Sequence, residues 1–358
     1  MAIPLPEESS IPSSSPSSSS SAPDLIYTLS GHTKSPTSLC FSPCGRLLAT
    51  ASSDSTIKLW TVATGTLIHT FTSSSFSSSS SGINDICFSS DSHYLASCSD
   101  DRSIKIYSTL TFHLVRTFSE HTSYVLCLAY NPTSTLLVSG SFDETVRLWN
   151  VARSKCHRVI SAHSEAVTGV DFNSDGTMIV SSSYDGSIRL WDTTTGACLK
   201  TLVHKDQSPL GGVQFTPSSA QILCSSLDNT VRMWDVYNSK IVKTYTGHNN
   251  SKLPLTARLT FLPVSLPNST SSATTIDRDG GHDRGASGSH NNKAVMIGGE
   301  DGKVTIWHLQ SKQIVTFWQA HSSTSAVVAT ATHPSLNVVA TAGVEPDCCV
   351  KMWLFSST

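Results

Sequence analysis

The sequence predicts an all-β toroid in which seven small four-stranded sheets stand as the blades of a propeller. Three observations carry this. First, a short phrase recurs seven times, an aspartate followed six residues later by an aromatic residue, with β-branched or basic residues between. The clearest copies are Asp54–Trp60, Asp143–Trp149, Asp185–Trp191 and Asp228–Trp234, and weaker ones are Asp101–Tyr107, Asp301–Trp307 and Asp347–Trp353. Second, the aromatics fall at intervals of 47, 42, 42, 43, 73 and 46 residues, a period that marks a repeat array. Third, each interval holds short apolar or alternating runs bounded by turn residues, the pattern of short strands.

The elements follow in order. In the third repeat Tyr124–Tyr130 reads as strand a, Asn131-Pro-Thr-Ser as a turn and Leu136–Ser141 as strand b. Phe142-Asp-Glu turns into strand c, which ends at Trp149, and strand d follows near Cys156–Ile160. Repeats of roughly 40–45 residues with this ending are the WD40 signature, one four-stranded blade per copy. The fold class is thus a seven-bladed WD40 β-propeller, all-β, over residues 23–358, preceded by a disordered Ser/Pro-rich tail over 1–22. A serine run at 73–81 lengthens the first interval. An insertion at 264–292, rich in Gly, Ser, Asn, Asp and His, lengthens blade six and reads as a disordered loop. The chain stops just after Trp353, so blade seven lacks an outer strand. Residues 25–29 are expected to supply it, which removes an open sheet edge.

Composition narrows function. The 358 residues carry a net charge of −2 and only 14% charged residues, so no basic footprint for direct nucleic-acid binding is present. No run approaches the eighteen apolar residues of a membrane span. Met1–Ala22 lacks an apolar signal core, so the sequon at Asn268 is expected to be unmodified. Ten cysteines are scattered without a CxxC pair and read as reduced thiols, several of them buried in strands (Cys40, Cys87, Cys98, Cys127, Cys224), with no metal site expected.

Histidines open several blades: His32, His121, His163, His248 and His321. In blade three, His121, Ser139 or Ser141, Asp143 and Trp149 are the expected members of a buried hydrogen-bonded chain. A His/Asp/Ser set also resembles a hydrolytic triad. It recurs blade after blade, however, and a catalytic triad need occur only once, so a fold-specifying network is expected. No enzymatic motif, cofactor cradle or paired-carboxylate pattern appears, and no cofactor is expected. The residue before each turn aspartate should face the top mouth. These residues are Ser53, Asp100, Phe142, Tyr184, Leu227, Glu300 and Pro346, and two acids with two aromatics among them suit a cationic group.

The runs Ser139–Trp149, Phe172–Gly176, Ile179–Gly186, Leu227–Thr230, Leu199–Leu202, Lys243–His248 and Ser97–Asp101 resemble the WD-repeat core subunit of COMPASS-type (SET-domain) histone H3 lysine-4 methyltransferase complexes. The resemblance spans residues 25–358 outside 264–292. It implies a non-catalytic nuclear scaffold whose partners are a SET-domain methyltransferase and other complex subunits, without nucleic-acid or membrane contact. Another WD40 adaptor, a ubiquitin-ligase substrate receptor or a spliceosomal subunit, is the alternative. Animal members of the family grip an arginine between two phenylalanines at the top mouth. Here Asp100, Phe142 and Tyr184 are kept, but the stacking phenylalanines are Leu126 and Thr256. A nearby tyrosine is Leu253, and two pocket serines are Asn84 and Gly211. With Glu300 at the rim, these positions imply a top-face peptide site with only weak binding of a histone H3 tail. The resemblance also implies a groove on the opposite face between blades five and six, at Ser218, Gln221, Met233, Leu259 and Phe261. There three of five positions stay apolar.

Overall fold

The computed structural model describes residues 22–72, 81–261 and 293–355. It contains seven four-stranded antiparallel sheets. Blade three shows the plan. Its strands are Val125–Tyr130, Leu136–Ser141, Thr145–Asn150 and Lys155–Ser161, each hydrogen-bonded to the next. The expected tail, the serine run apart from Ser81, and the insertion at 264–292 lie outside the described residues, save Ala22.

Blade seven closes as the sequence requires. Asp24–Leu29 is its outermost strand and pairs antiparallel with Val350–Leu354, Leu25 opposite Trp353 and Leu29 opposite Val350. The inner strands of that blade are Val327–Thr332 and Val338–Gly343, so the two ends of the propeller meet in one sheet.

In every blade the outer strand bulges by one residue opposite the signature aromatic. In blade one Leu59 faces His69 and Trp60 faces Leu67. In blade seven Met352 faces Tyr27 and Trp353 faces Leu25. Such a bulge sharpens the local twist and re-aims a side chain. It accompanies burial of the indoles, with Trp149 and Trp307 among the largest fully buried side chains.

The core is built between blades. Each apolar cluster combines two neighbours, as where Val146, Leu148 and Ile160 of blade three pack on Val167, Val170, Phe172 and Trp191 of blade four. Glycine is required where innermost strands approach closely. A Cβ on Gly169 would lie 2.8 Å from the Val213 nitrogen.

Met233 belongs to this core. It is fully buried, 0% exposed, against Tyr245, Leu255, Ala257 and Trp307 of the blade-five/blade-six cluster. Leu259 packs half-buried on the same cluster. The expectation of an exposed apolar groove fails at Met233. Alternation along strand c turns this residue inward, one position before Trp234, so its apolar character fills a blade interface.

Candidate functional site

Four blades carry the expected polar chain in full. In blade three the Trp149 indole donates to Ser139 Oγ (2.8 Å), Ser139 meets His121 Nε2 (2.8 Å), and His121 Nδ1 meets Asp143 Oδ2 (2.8 Å). The strand-b member is therefore Ser139. Ser141 instead donates to the Tyr124 carbonyl and accepts from the Asp143 amide. Blade one repeats the chain with Trp60, Thr50, His32 and Asp54, and blade four with Trp191, Ser181, His163 and Asp185. Blade seven does so with Trp353, Thr341, His321 and Asp347. With the indole donating to the hydroxyl, the hydroxyl donates to Nε2 and Nδ1–H donates to the carboxylate. Burial opposes ionisation of Asp54, Asp143 and Asp185. The histidine and the hydroxyl at Thr56, Thr145 or Ser187 outweigh it and hold each carboxyl well below the usual range. These imidazoles are buried, and their nitrogens are already engaged by the chain, so none is positioned as a general base.

Blade six breaks the pattern. Ile297, opposite Thr305, stands where the other strands place a hydroxyl, and the Trp307 indole donates to the Thr246 carbonyl (3.0 Å). Both His248 ring nitrogens are buried without a hydrogen-bond partner among the described residues, and burial pushes its pKa down to about 4.

The main concavity is the central channel, with a cavity of about 700 Å³. The first strand of each blade lines it, because alternate residues of that strand face the axis. Asn84, Leu126, Tyr184, Leu253 and Thr256 all reach this cavity, so the structure brings together five of the positions carried over for the top-face site. The other positions behave differently. Asp100 accepts from Asn84 Nδ2 (2.8 Å), whose other hydrogen goes to the Val125 carbonyl (2.9 Å), and so orients Asn84. Phe142 is 54% exposed on the rim, its ring 6.3 Å from that of Tyr124. Gly211 lies under the Leu255 carbonyl, which a Cβ would approach to 2.6 Å.

Glu300 is not a free acid at the mouth. Its Oε1 accepts from the backbone of Ser251 (2.9 Å), Lys252 and Leu253 (2.9 Å), which fixes the loop that carries Leu253. Rim position alone did not reveal that this carboxylate is consumed by the neighbouring loop.

The channel wall also holds charges that the sequence reading missed. Asp85 accepts from Ser38 of blade one (2.7 Å) and from the Leu128 amide of blade three (3.1 Å). Asp171 of blade four accepts from the Phe215 amide of blade five (2.8 Å). Burial raises both carboxyls, Asp171 to about 6, against these hydrogen bonds and the nearby Arg258. Gln214 continues the pattern by accepting from the Leu259 amide of blade six (3.3 Å). On the opposite face Gln221 is half-buried at the start of its strand, and Phe261 ends the first strand of blade six.

Comparison with known proteins agrees with this architecture. The model for the WDR5 beta-propeller domain matches residues 28–354. Protein Mut11 of Chlamydomonas reinhardtii is 44% identical over 63 residues, a stretch that covers 18% of this chain and 17% of that protein. With seven closed blades and a match that runs nearly the length of the described propeller, the chain belongs to the WDR5 β-propeller family.

Proposed function

We propose that this propeller is a non-catalytic nuclear scaffold that assembles a SET-domain histone H3 lysine-4 methyltransferase complex. The observation that carries the reading is the match of the WDR5 beta-propeller domain to residues 28–354 of a closed seven-bladed ring, whose channel Asn84, Leu126, Tyr184, Leu253 and Thr256 all line. Family membership supports a protein-interaction role.

The mouth is a poor arginine reader. Stacking of a guanidinium on an aromatic face contributes roughly 0.5–2 kcal/mol, so leucine and threonine in place of two faces lower affinity about tenfold to several hundredfold. Arg258, two residues beyond Thr256 at the start of the first strand of blade six, adds a cation to the channel wall. Partner contacts are accordingly assigned to the rim, where Phe142 and Tyr124 are exposed, and to the bottom around Gln221 and Phe261. Affinity purification of the full chain with mass spectrometry tests the assignment. A co-purifying SET-domain protein supports it, whereas a cullin adaptor or splicing factors without a SET-domain protein refute it. In calorimetry, an isolated histone H3 tail peptide should bind weakly or undetectably, and a submicromolar Kd would overturn the account of the mouth.

A further inference from the structure

The turn before Val350–Leu354, the third strand of blade seven, differs from its counterparts in blades one, three, four and five. Two residues after the signature aspartate stands Thr56 in blade one, Thr145 in blade three, Ser187 in blade four and Thr230 in blade five. In blades one and four that hydroxyl lies 3.2 and 3.1 Å from the histidine Nδ1. In blade seven the position is Cys349, with Sγ 4.0 Å from His321 Nδ1, while Asp347 Oδ2 lies 3.2 Å from the same nitrogen. The three donor atoms fall within 4.8 Å of one another. Asp347 has also exchanged partners: its Oδ1 accepts from Ser322 Oγ (2.8 Å) rather than from the residue two positions on.

We propose that His321, Asp347 and Cys349 form a binding site for a divalent cation of borderline softness, Zn²⁺ above all, which clips the turn that leads into Val350–Leu354, the strand on which Asp24–Leu29 closes the ring. The donor set is one imidazole nitrogen, one carboxylate oxygen and one sulfur, the combination zinc accepts. Bond lengths near 2.0–2.3 Å with tetrahedral angles place such donors about 3.3–3.6 Å apart. The nitrogen–oxygen pair already meets this, and the sulfur must close in by about 1 Å. The His321 and Cys349 side chains are buried, and Asp347 is partly exposed, so solvent can supply a fourth ligand.

Binding is balanced in protons and charge. The Cys349 thiol loses its proton to solvent. The imidazole stays neutral, with its proton on Nε2, where it donates to Thr341 Oγ1 (3.0 Å) in place of accepting from it. A dication with one thiolate and one carboxylate leaves no net charge in the site. Burial raises the Cys349 thiol above its usual range against the pull of Lys351, which is anchored on the Ala320 carbonyl (3.0 Å), so the cation itself has to displace the proton. The competing account is a fourth ordinary polar chain in which cysteine merely replaces a hydroxyl.

Untagged full-length protein, reduced without thiol reagents, is titrated with Co²⁺ and with Zn²⁺. The expected result is a thiolate-to-cobalt charge-transfer band with tetrahedral d–d bands, one equivalent of tight Zn²⁺, and a metal-dependent rise in Tm. Cys349→Thr installs the residue found in blades one, three and five. It should fold without metal, lose the band, and bind Zn²⁺ more weakly by beyond the roughly 10–100-fold that loss of an outer-shell partner costs. Cys348→Ser should keep all three signals. Absence of the band in wild type, or its persistence in Cys349→Thr, overturns the proposal. If Cys349→Thr does not fold, the same criterion is applied to Cys349→Ser, and the wild-type spectrum remains decisive by itself.

Discussion

Removal of the strand that closes the ring is the most direct test of how this chain holds together. The strand Asp24–Leu29 is mostly exposed, and its main buried side chain is Leu29, 3% exposed among Leu39, Trp60, Val338 and Val350. Each backbone hydrogen bond to Val350–Leu354 contributes about 1 kcal/mol net, while fixing each residue costs about 1–2 kcal/mol in entropy. These two terms nearly cancel over a short exposed strand, so the apolar contact decides. Leu29→Ala should cost about 2–5 kcal/mol through lost transfer energy and the cavity left behind. Leu25, in the same strand but 49% exposed, is the internal control, and Leu25→Ala should stay within about 0.5 kcal/mol. Deletion of residues 1–29 should destabilise at least as much as Leu29→Ala, since it also uncovers the edge of Val350–Leu354. Deletion of residues 1–21 should leave Tm unchanged. Thermal and urea unfolding measure all four. Equal shifts for the Leu25 and Leu29 variants, or for the two deletions, would refute the closure argument.

Other outcomes follow from the same contacts. Ser139→Ala strands the Trp149 indole and His121 Nε2 in the core and should cost about 1–3 kcal/mol in chemical unfolding, whereas Ser139→Thr, the residue blades one and seven use, should be nearly neutral. Asp143 is held below its unfolded pKa, so its stabilisation is present above about pH 4 and is lost as pH falls through the folded value; Asp143→Asn should lower stability at pH 7 and flatten the acid limb of stability against pH. Met233→Glu buries an unpaired charge between blades five and six and should lower Tm strongly; an unchanged Tm would return that residue to the surface. At Cys44, burial is outweighed by hydrogen bonds from Ser42, Arg46 and Ser92, and its thiol is brought down to about 6, so limiting iodoacetamide at pH 7 should label it first, read by peptide mapping.

The parts legible in the sequence were those that repeat. The Asp-to-aromatic phrase located the third strand of every blade, and the missing strand after Trp353 implied its replacement by residues 25–29. The histidine chain was legible for the same reason, except in blade six. There the histidine is present, but Ile297, opposite Thr305, replaces the hydroxyl that joins it to the tryptophan in the other blades. Asp85 and Asp171 were illegible because each occurs once, at a different height on its strand, and the partners that matter, Ser38, Leu128 and Phe215, lie on neighbouring blades far away in sequence. Met233 was misplaced because an apolar residue carried over by resemblance cannot say which side of a strand it occupies.

The channel charges bear on how such a ring can act as a scaffold. Asp85 ties blade two to blades one and three, Asp171 ties four to five, and Gln214 ties five to six. Between blades seven and one, His333 Nε2 donates to the Gly45 carbonyl (2.7 Å), and a Cβ at Gly45 would collide with that ring at 2.6 Å. Each tie runs from a side chain of one blade to a backbone group or hydroxyl of a neighbour, so widening the mouth would leave buried polar groups unpaired at about 1–3 kcal/mol each. Reorganisation around an entering ligand is therefore disfavoured. The carboxylates on the wall already accept from neighbouring blades and are poorly placed to accept from a ligand. Recognition by a wall of this kind falls to preformed surface outside it, the rim side chains, the Asn84 that Asp100 orients and the loop that Glu300 holds in place. A rigid ring that presents fixed loops can dock several partners at once without one site deforming another, which is the mechanical requirement of a scaffold.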